Sequence, residues 1–361
     1  MSARAPGGAH HLAALAREPR PAGSEAEERA RRYAEQVLAD AGFTSVRESF
    51  SYSRFPGGYG TPIGGALAAA TVVSAAWLAL SNRDGAAIVL AAGLLIVAVF
   101  ARAMLGDAVL DLPLLRASSV NVVATRAGIE PRVWLVAHLD SKSQPVPSLA
   151  RVAGMTVLAI GVVLAVIAMG LQLVSVSSRT LWWVASALAV LGAVPVMASV
   201  VGECSDGALD NASGVATVLA AAVQMERGAA VGVLLPSAEE LGLAGARAWA
   251  RARASGVALN CDGVDDEGEL TIMHGSNPAV EVIDAIVRAA PATPRVRRMP
   301  LGLLTDSVAL TDRGWRAVTL SRGSFASLRR VHTSRDSLAR LRGTGVDEAA
   351  AVLARAAEAL A

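Results

Sequence analysis

The chain has 361 residues, 53% of them hydrophobic but only 4% aromatic, with a formal net charge of +2. So even a balance excludes recruitment of nucleic acid or of an acidic partner by bulk charge. Two cysteines, Cys204 and Cys261, neither in a CxxC pair, exclude a disulfide framework and a thiolate zinc site.

The apolar excess is carried by Ala, Val and Leu, the composition of membrane helices rather than of an enlarged core. The opening "MSARAPGGAHHLAALAREPR" holds no apolar run of signal-peptide length, and His10 and His11 suggest no role. "GSEAEERARRYAEQVLADAGF" predicts a helix, with Ser24 as cap, Glu27 three residues on as in a capping box, and Gly42 as stop.

Four nearly uncharged runs follow, at 61–81, 85–105, 152–174 and 181–201. Each has about 20 residues, the length that spans a bilayer core. The short links "SNRD" and "SVSSRT" join them as two transmembrane hairpins, 61–105 and 152–201. The residues left over, 1–60, 106–151 and 202–361, form one discontinuous domain on a single side of the bilayer. The far-side links carry Arg83 and Arg179, whereas the near side carries Arg54, Arg102, Arg116, Lys142 and Arg151, with Arg29, Arg31, Arg32 and Arg47 in the N-terminal tail. Positive charge favours the cytoplasmic face, so the soluble part is expected there.

With the hairpins removed, strands alternate with helices. "SVNVVATRAG" and "RVWLVAHLD" read as strands with a turn between; "DNASGVATVLAAAVQME" as a turn running into a helix; "AAVGVLLPS", "GVALNCD" and "WRAVTLS" as strands. "LGLAGARAWARAR", "NPAVEVIDAIVRAA" and the Ala-rich last fifteen or so residues read as helices. This alternation predicts an α/β layered fold, in which sites gather at the carboxyl ends of strands. His138 and Asp140 follow one strand, Glu239 and Glu240 another, and Asp262 a third; Asp210 stands at a helix-entry turn and His332 in a late loop. Imidazole with carboxylate is a ligand set for zinc and similar divalent ions. Two histidines with several acids would suit two ions sharing one acid, and a glutamate outside the ligand set could take a proton from water. Taken singly, the His-x-Asp pair reads more readily as a surface pair and Glu239–Glu240 as a solvated helix start; only the joint pattern favours a metal site. The cluster "PRVRRMP" reads as a solvated face and Cys261 as a small buried side chain.

"AHLDS", "DGALDNASGVA", "SAEELGLAGARAW", "LNCDGV" and "VHTSRDSL", in this order behind the opening "HLAALAREPRPAGSEAEERARRYAEQVLADAGF", resemble the motifs of the M28 metallopeptidases, the di-zinc aminopeptidase group. The resemblance covers nearly all of the soluble part. It implies a mixed, mostly parallel sheet with helices on both faces and two zinc ions per chain. It would put His138 and Asp262 on one ion, Glu240 and His332 on the other, and Asp210 between them. Glu239 would be the general base, drawing a proton from the water that bridges the ions, and Asp140 would hold the far nitrogen of His138.

The chain departs from the family pattern in two places. Ser307 in "LLTDSVAL" stands where the family often has a histidine, an expected change in the substrate pocket. The second hairpin fills what is usually a short loop between Asp140 and Asp210. The links 141–151 and 202–209 reach no further than roughly 40 Å at about 3.4 Å per extended residue. The site mouth is therefore expected near the membrane, favouring membrane-proximal peptides; the hairpins read equally as a plain anchor or an oligomerisation surface. The expectation is a membrane-anchored zinc exopeptidase, aminopeptidase first. The alternatives are a single-zinc acyltransferase like the glutaminyl cyclases, and an inactive peptidase-fold scaffold or receptor.

Overall fold

A computed structural model describes residues 7–176, 178–300 and 302–361. In chain order the helices are α1 (Gly8–Leu15), α2 (Glu25–Asp40), α3 (Thr61–Leu78), α4 (Arg83–Met104), α5 (Ala108–Asp111), α6 (Ser148–Leu173), α7 (Arg179–Met197), α8 (Gly214–Gln224), α9 (Ala244–Arg251), α10 (Val280–Ala289), α11 (Asp306–Thr311), α12 (Phe325–Leu328) and α13 (Thr344–Leu360). The strands are β1 (Thr44–Ser53), β2 (Arg116–Thr125), β3 (Val133–Val136), β4 (Val231–Leu235), β5 (Val257–Val264), β6 (Glu269–His274), β7 (Arg295–Arg298) and β8 (Arg316–Gly323). These elements form two compact units. One comprises the residues up to Arg54, Val109–Ser143 and Glu203–Ala361; the other comprises Phe55–Ala108 and Gln144–Gly202.

The first unit is built on one eight-stranded sheet in the order β1-β2-β4-β3-β5-β8-β6-β7. Its centre, β4-β3-β5-β8, is parallel; β2 and β6 run antiparallel to it, β1 pairs antiparallel with β2, and β7 pairs parallel with β6. The central strands are continuous apolar runs because both faces are covered. Val133 and Leu135 join a core with α1, α2, α8, α10 and α13, while Trp134 and Val136 join Trp249, Leu310 and Trp315 on the opposite face.

Two features of the sheet go beyond the sequence reading, and one expectation at α2 changes. The turn between β2 and β3 does not join neighbours in the sheet, because β4 inserts between them, antiparallel to β2 and parallel to β3. β1 carries alternating polar residues and no apolar run, yet it pairs with β2 over its whole length. At α2, Ser24 accepts from the Glu27 amide at 3.1 Å, but the Glu27 side chain does not close the capping box. It accepts instead from Gly23 N at 2.8 Å and from Arg31 at 3.0 Å.

The second unit consists of α3, α4, α6 and α7, all long and apolar enough to cross a membrane by length and composition. The first of these spans starts earlier than the apolar run in the sequence, at Pro56, because a π-type turn continues into α3. The unit's core is alanine-rich, with Val72, Leu90, Leu158, Met169 and Trp182. Small residues let helix backbones approach closely: a Cβ on Gly192 of α7 would lie 2.3 Å from Leu158 N on α6. Large apolar side chains point outward instead, among them Ile88, Leu95, Ile96 and Val99 of α4, Val163 of α6 and Leu191 of α7. Trp182 donates to Gln172 Oε1 at 3.0 Å and Gln172 donates to the Ala79 carbonyl at 2.8 Å, so this polar side chain is satisfied inside the unit.

Gly192→Leu is expected to separate α6 from α7 and to destabilise the helical unit by ~1–3 kcal/mol or more. Thermal unfolding of the detergent-solubilised chain followed by circular dichroism checks this; an unchanged midpoint would refute the close packing.

Candidate metal centre

The sheet brings its chemistry to the carboxyl ends of β3, β4 and β5. His138 and Asp140 follow β3, Glu239 and Glu240 lie beyond β4, and Asp262 stands near the carboxyl end of β5. Asp210 comes from the turn Ala208–Ser213 ahead of α8, and His332 from the loop after α12. The fold gathers these ligand-type residues into two groups, His138 with Glu239 and Asp262, and Asp210 with Glu240 and His332; within each, one ligand-type atom per residue lies within 4.8 Å of the others. Asp210 joins the groups: Oδ1 is 3.2 Å from His138 Nε2 and Oδ2 is 3.0 Å from His332 Nε2. Glu239 Oε2 is 3.9 Å from His138 Nε2, and Glu240 Oε1 is 3.1 Å from His332 Nε2.

The segments that carry these residues are held largely through their backbones. The Asp140 carboxylate accepts from the amides of Glu239 (3.1 Å) and Glu240 (3.2 Å), so one side chain fixes both glutamates. His138 Nδ1 is 3.0 Å from the Asp140 carbonyl and 3.6 Å from its carboxylate; the carbonyl is the nearer acceptor because the carboxylate is engaged by those two amides. Such a contact selects the tautomer that leaves Nε2 able to bind a cation. Asp336 does for Asp210 what Asp140 does for the glutamates, accepting from the amides of Leu209 (2.6 Å) and Asp210 (3.1 Å). Asn211 ties the turn to β5, donating to the Cys261 carbonyl at 3.0 Å and accepting from Gly263 N at 3.2 Å. The approach is so tight that a Cβ on Gly214 would sit 2.4 Å from the Cys261 carbonyl. The Asp210–Asn211 peptide is cis.

Arg20 is buried beneath these loops and donates to the carbonyls of Leu139 (3.0 Å), Asp206 (2.6 Å) and Gly207 (3.0 Å), joining the His138 segment to the Asp210 turn. Ser327 and Arg330 both bind the Asp265 carboxylate and anchor the loop that carries His332. Ala238 (φ 57°) and His332 (φ 64°) occupy the left-handed region that side chains disfavour. Strain of this kind is retained where surrounding contacts enforce it, and it gathers at functional sites.

The cluster is short of positive charge. Asp140, Asp210, Glu239, Glu240, Asp262 and Asp306 share it with His138, His332 and Lys142. Desolvation raises the Glu239 carboxyl well above the usual range; His138 opposes the rise, and Glu240, Asp306 and Asp262 add to it. Asp262 keeps some contact with solvent, yet desolvation and then Asp210 push it up to about 8. Desolvation acts against ionised Glu240 too, but His332 and Lys142 bring its carboxyl down to about 2. At Asp210 desolvation is outweighed by the two imidazoles, which hold it well below the usual range. Desolvation disfavours the cationic form of His138, and Glu239 and the other acids outweigh it, raising its pKa well above the usual value.

These residues fit divalent cations. Nε2 of His138 and Oε1 of Glu240 are buried and near oppositely charged atoms, yet neither is aligned in a hydrogen bond. Ligand atoms turned toward a common ion rather than toward each other have this arrangement. Mixed imidazole and carboxylate donors suit zinc, and a dication supplies the charge that lets neighbouring carboxylates ionise together.

Sequence reasoning missed Asp306, Asp336, Arg20 and the contact of Lys142 with the site. Asp306 is fully buried, neither of its oxygens has a hydrogen bond, and desolvation chiefly pushes its carboxyl up to about 7. The Ser307 hydroxyl is buried against Thr305 Oγ1 (2.9 Å) and Thr319 Oγ1 (2.7 Å), where it completes a three-membered hydroxyl cluster. His274 bonds locally to the Gly275 carbonyl at 2.7 Å.

Among solved structures the chain is similar to an aminopeptidase from Aneurinibacillus sp. strain AM-1 (16% identity, 96% of this chain and 92% of that one, TM-score 0.55). It is also similar to a Zn-dependent exopeptidase from Parabacteroides distasonis ATCC 8503 (13%, 98% and 97%, TM-score 0.58) and to a glutaminyl cyclase from Porphyromonas gingivalis (12%, 98% and 99%, TM-score 0.56). At such identities the likeness is one of fold. No curated protein matches. Residues 191–357 match peptidase family M28, a stretch that includes Asp210, Glu239, Glu240, Asp262 and His332, with His138 and Asp140 upstream of it. The family match, over just under half of the chain, and the fold point the same way: the chain is similar to peptidase family M28.

Proposed function

We propose that this chain is an M28-type peptidase: a membrane-anchored, zinc-dependent exopeptidase that removes residues from the amino end of peptides. The observation that supports it most is Asp210, one carboxylate whose two oxygens each approach an imidazole from a different ligand group. A cation in each group, with Asp210 shared, accounts for the concentration of acid there. Zinc bound in this site would polarise a peptide carbonyl and make water more acidic.

The chain's own residues supply the rest. Glu239 takes a proton from the attacking water and passes it to the leaving amine. The desolvation that raises its carboxyl makes it a stronger base than a solvated glutamate. Asp140 orients His138 through its carbonyl and sets both glutamates through their amides. A second reading, a single-zinc acyltransferase, draws support from the glutaminyl cyclases among the similar structures and from the ammonium of Lys142, already 2.6 Å from Glu240 Oε2.

The four apolar helices are proposed to cross the bilayer, with the α/β unit on the cytoplasmic side where the arginines concentrate. The proposed substrates are peptides at or near the membrane, because short stretches of chain join the ligand-bearing segments to the second apolar hairpin.

Glu239→Gln is expected to lower kcat on peptide amides by roughly 10²–10⁴-fold while the bound zinc is retained. Steady-state kinetics beside elemental analysis of one preparation test this. Retained activity would remove Glu239 as base; a wild-type chain that takes up no zinc would point to the scaffold alternative. Topology is accessible through thiols: the exposed native Cys204 should resist a membrane-impermeant maleimide in intact cells and react after lysis, whereas a cysteine at Arg83 should react in intact cells. The opposite pattern would reverse the orientation. In liposomes holding the purified chain, an anchored peptide should be cleaved faster than the same peptide free; equal rates would leave the hairpins as an anchor only.

A further inference from the structure

Lys142 is the only lysine in the chain; every other member of the 33 Lys and Arg residues is arginine. It is also largely enclosed, its side chain 12% exposed, with Nζ 2.6 Å from Glu240 Oε2 and 3.5 Å from the Glu240 carbonyl. The two oxygens of Glu240 are therefore divided. Oε2 is held by the ammonium, and Oε1, which has no aligned hydrogen bond, faces Nε2 of His332 at 3.1 Å. Among the described residues, no ammonium or guanidinium lies within ion-pair distance of His138, Glu239 or Asp262. A lysine ammonium is a compact charge on a flexible stem, able to hold a carboxylate or withdraw from it, which the planar arginine fork does less readily.

We infer that Lys142 makes the two cation positions unequal. By engaging Oε2 it leaves Glu240 a one-oxygen ligand, and its charge opposes a dication among Asp210, Glu240 and His332. The position at His138 and Asp262 therefore fills first, and the Asp210–Glu240–His332 position fills only at higher free zinc. The chain passes between one-ion and two-ion forms over a range of zinc concentration set by this lysine. The inference rests on the proposed metal reading of the site.

The test is equilibrium dialysis of the full detergent-purified chain against buffered free zinc, for wild type, Lys142→Met and Lys142→Arg. The wild type is expected to bind one ion tightly and a second weakly. Lys142→Met should tighten the second by roughly 10–100-fold and leave the first unchanged, and Lys142→Arg, which keeps the charge, should leave the second weak. If only one ion binds to the wild type at any zinc concentration, Lys142→Met should admit another. Two ions of equal affinity in the wild type, or a gap that survives Lys142→Met, would overturn the role of Lys142 and leave the metal site standing. No zinc on any form would overturn the metal reading and this inference with it. A second measurement needs no variant: ¹³C-lysine incorporated into the wild type gives one Cε resonance, which should move with the second equivalent of zinc. Movement complete at the first equivalent would also overturn the inference.

Discussion

Acid concentrated where the sheet ends is the constraint on which the α/β unit turns. Asp140, Glu239, Glu240 and Asp306 are buried, and Asp210 and Asp262 stand at the rim among them. Removed from water, such groups ionise together only beside compensating positive charge. Two imidazoles and one ammonium offer part of it. The remainder is the physical case for divalent cations, and it follows from burial and geometry before any family likeness is considered.

Holding these acids in place requires donors that do not compete for the ligand atoms, and the backbone provides them. Asp140 and Asp336 each bind two consecutive amides, of Glu239 and Glu240 in one case and of Leu209 and Asp210 in the other. Carboxylates engaged in this way act as struts: they set the direction of a turn that bears candidate ligands without occupying those residues' own oxygens. Arg20 is the complementary device, a buried guanidinium that collects carbonyls from two loops. A site made of loops thereby acquires the rigidity of the elements beneath it. Lys142 departs from this pattern, taking an oxygen of the candidate ligand Glu240 itself.

The helical unit is organised by the reverse distribution of residues. Its interior is mainly alanine and glycine at close backbone approach, and its larger aliphatic side chains face outward. In water that outer face would be unfavourable; in hydrocarbon it is the matching surface, and shape rather than hydrophobicity draws the helices together.

Sequence alone determined the parts that depend on local periodicity or on a residue's chemical type. The four apolar runs became four helices because length and lack of charge leave few other outcomes, and "VWLVA", "VGVLL" and "VALNC" became central strands because double-sided burial demands unbroken apolar runs. The candidate ligands were legible because His, Asp and Glu at strand ends are chemically conspicuous. Tertiary structure decided what lies between such signals. β1 has no apolar run and exists through its pairing with β2, and β4 enters between β2 and β3 because parallel pairing is settled by crossovers rather than by neighbours in sequence. Asp336 and Arg20 hold groups far away in the chain, and Ser307 turns into a hydroxyl cluster. Lys142 read as a flank charge becomes a partner of Glu240 only when β3 and β4 lie side by side. Each of these roles is a distance between residues remote in sequence, and distance is what folding adds.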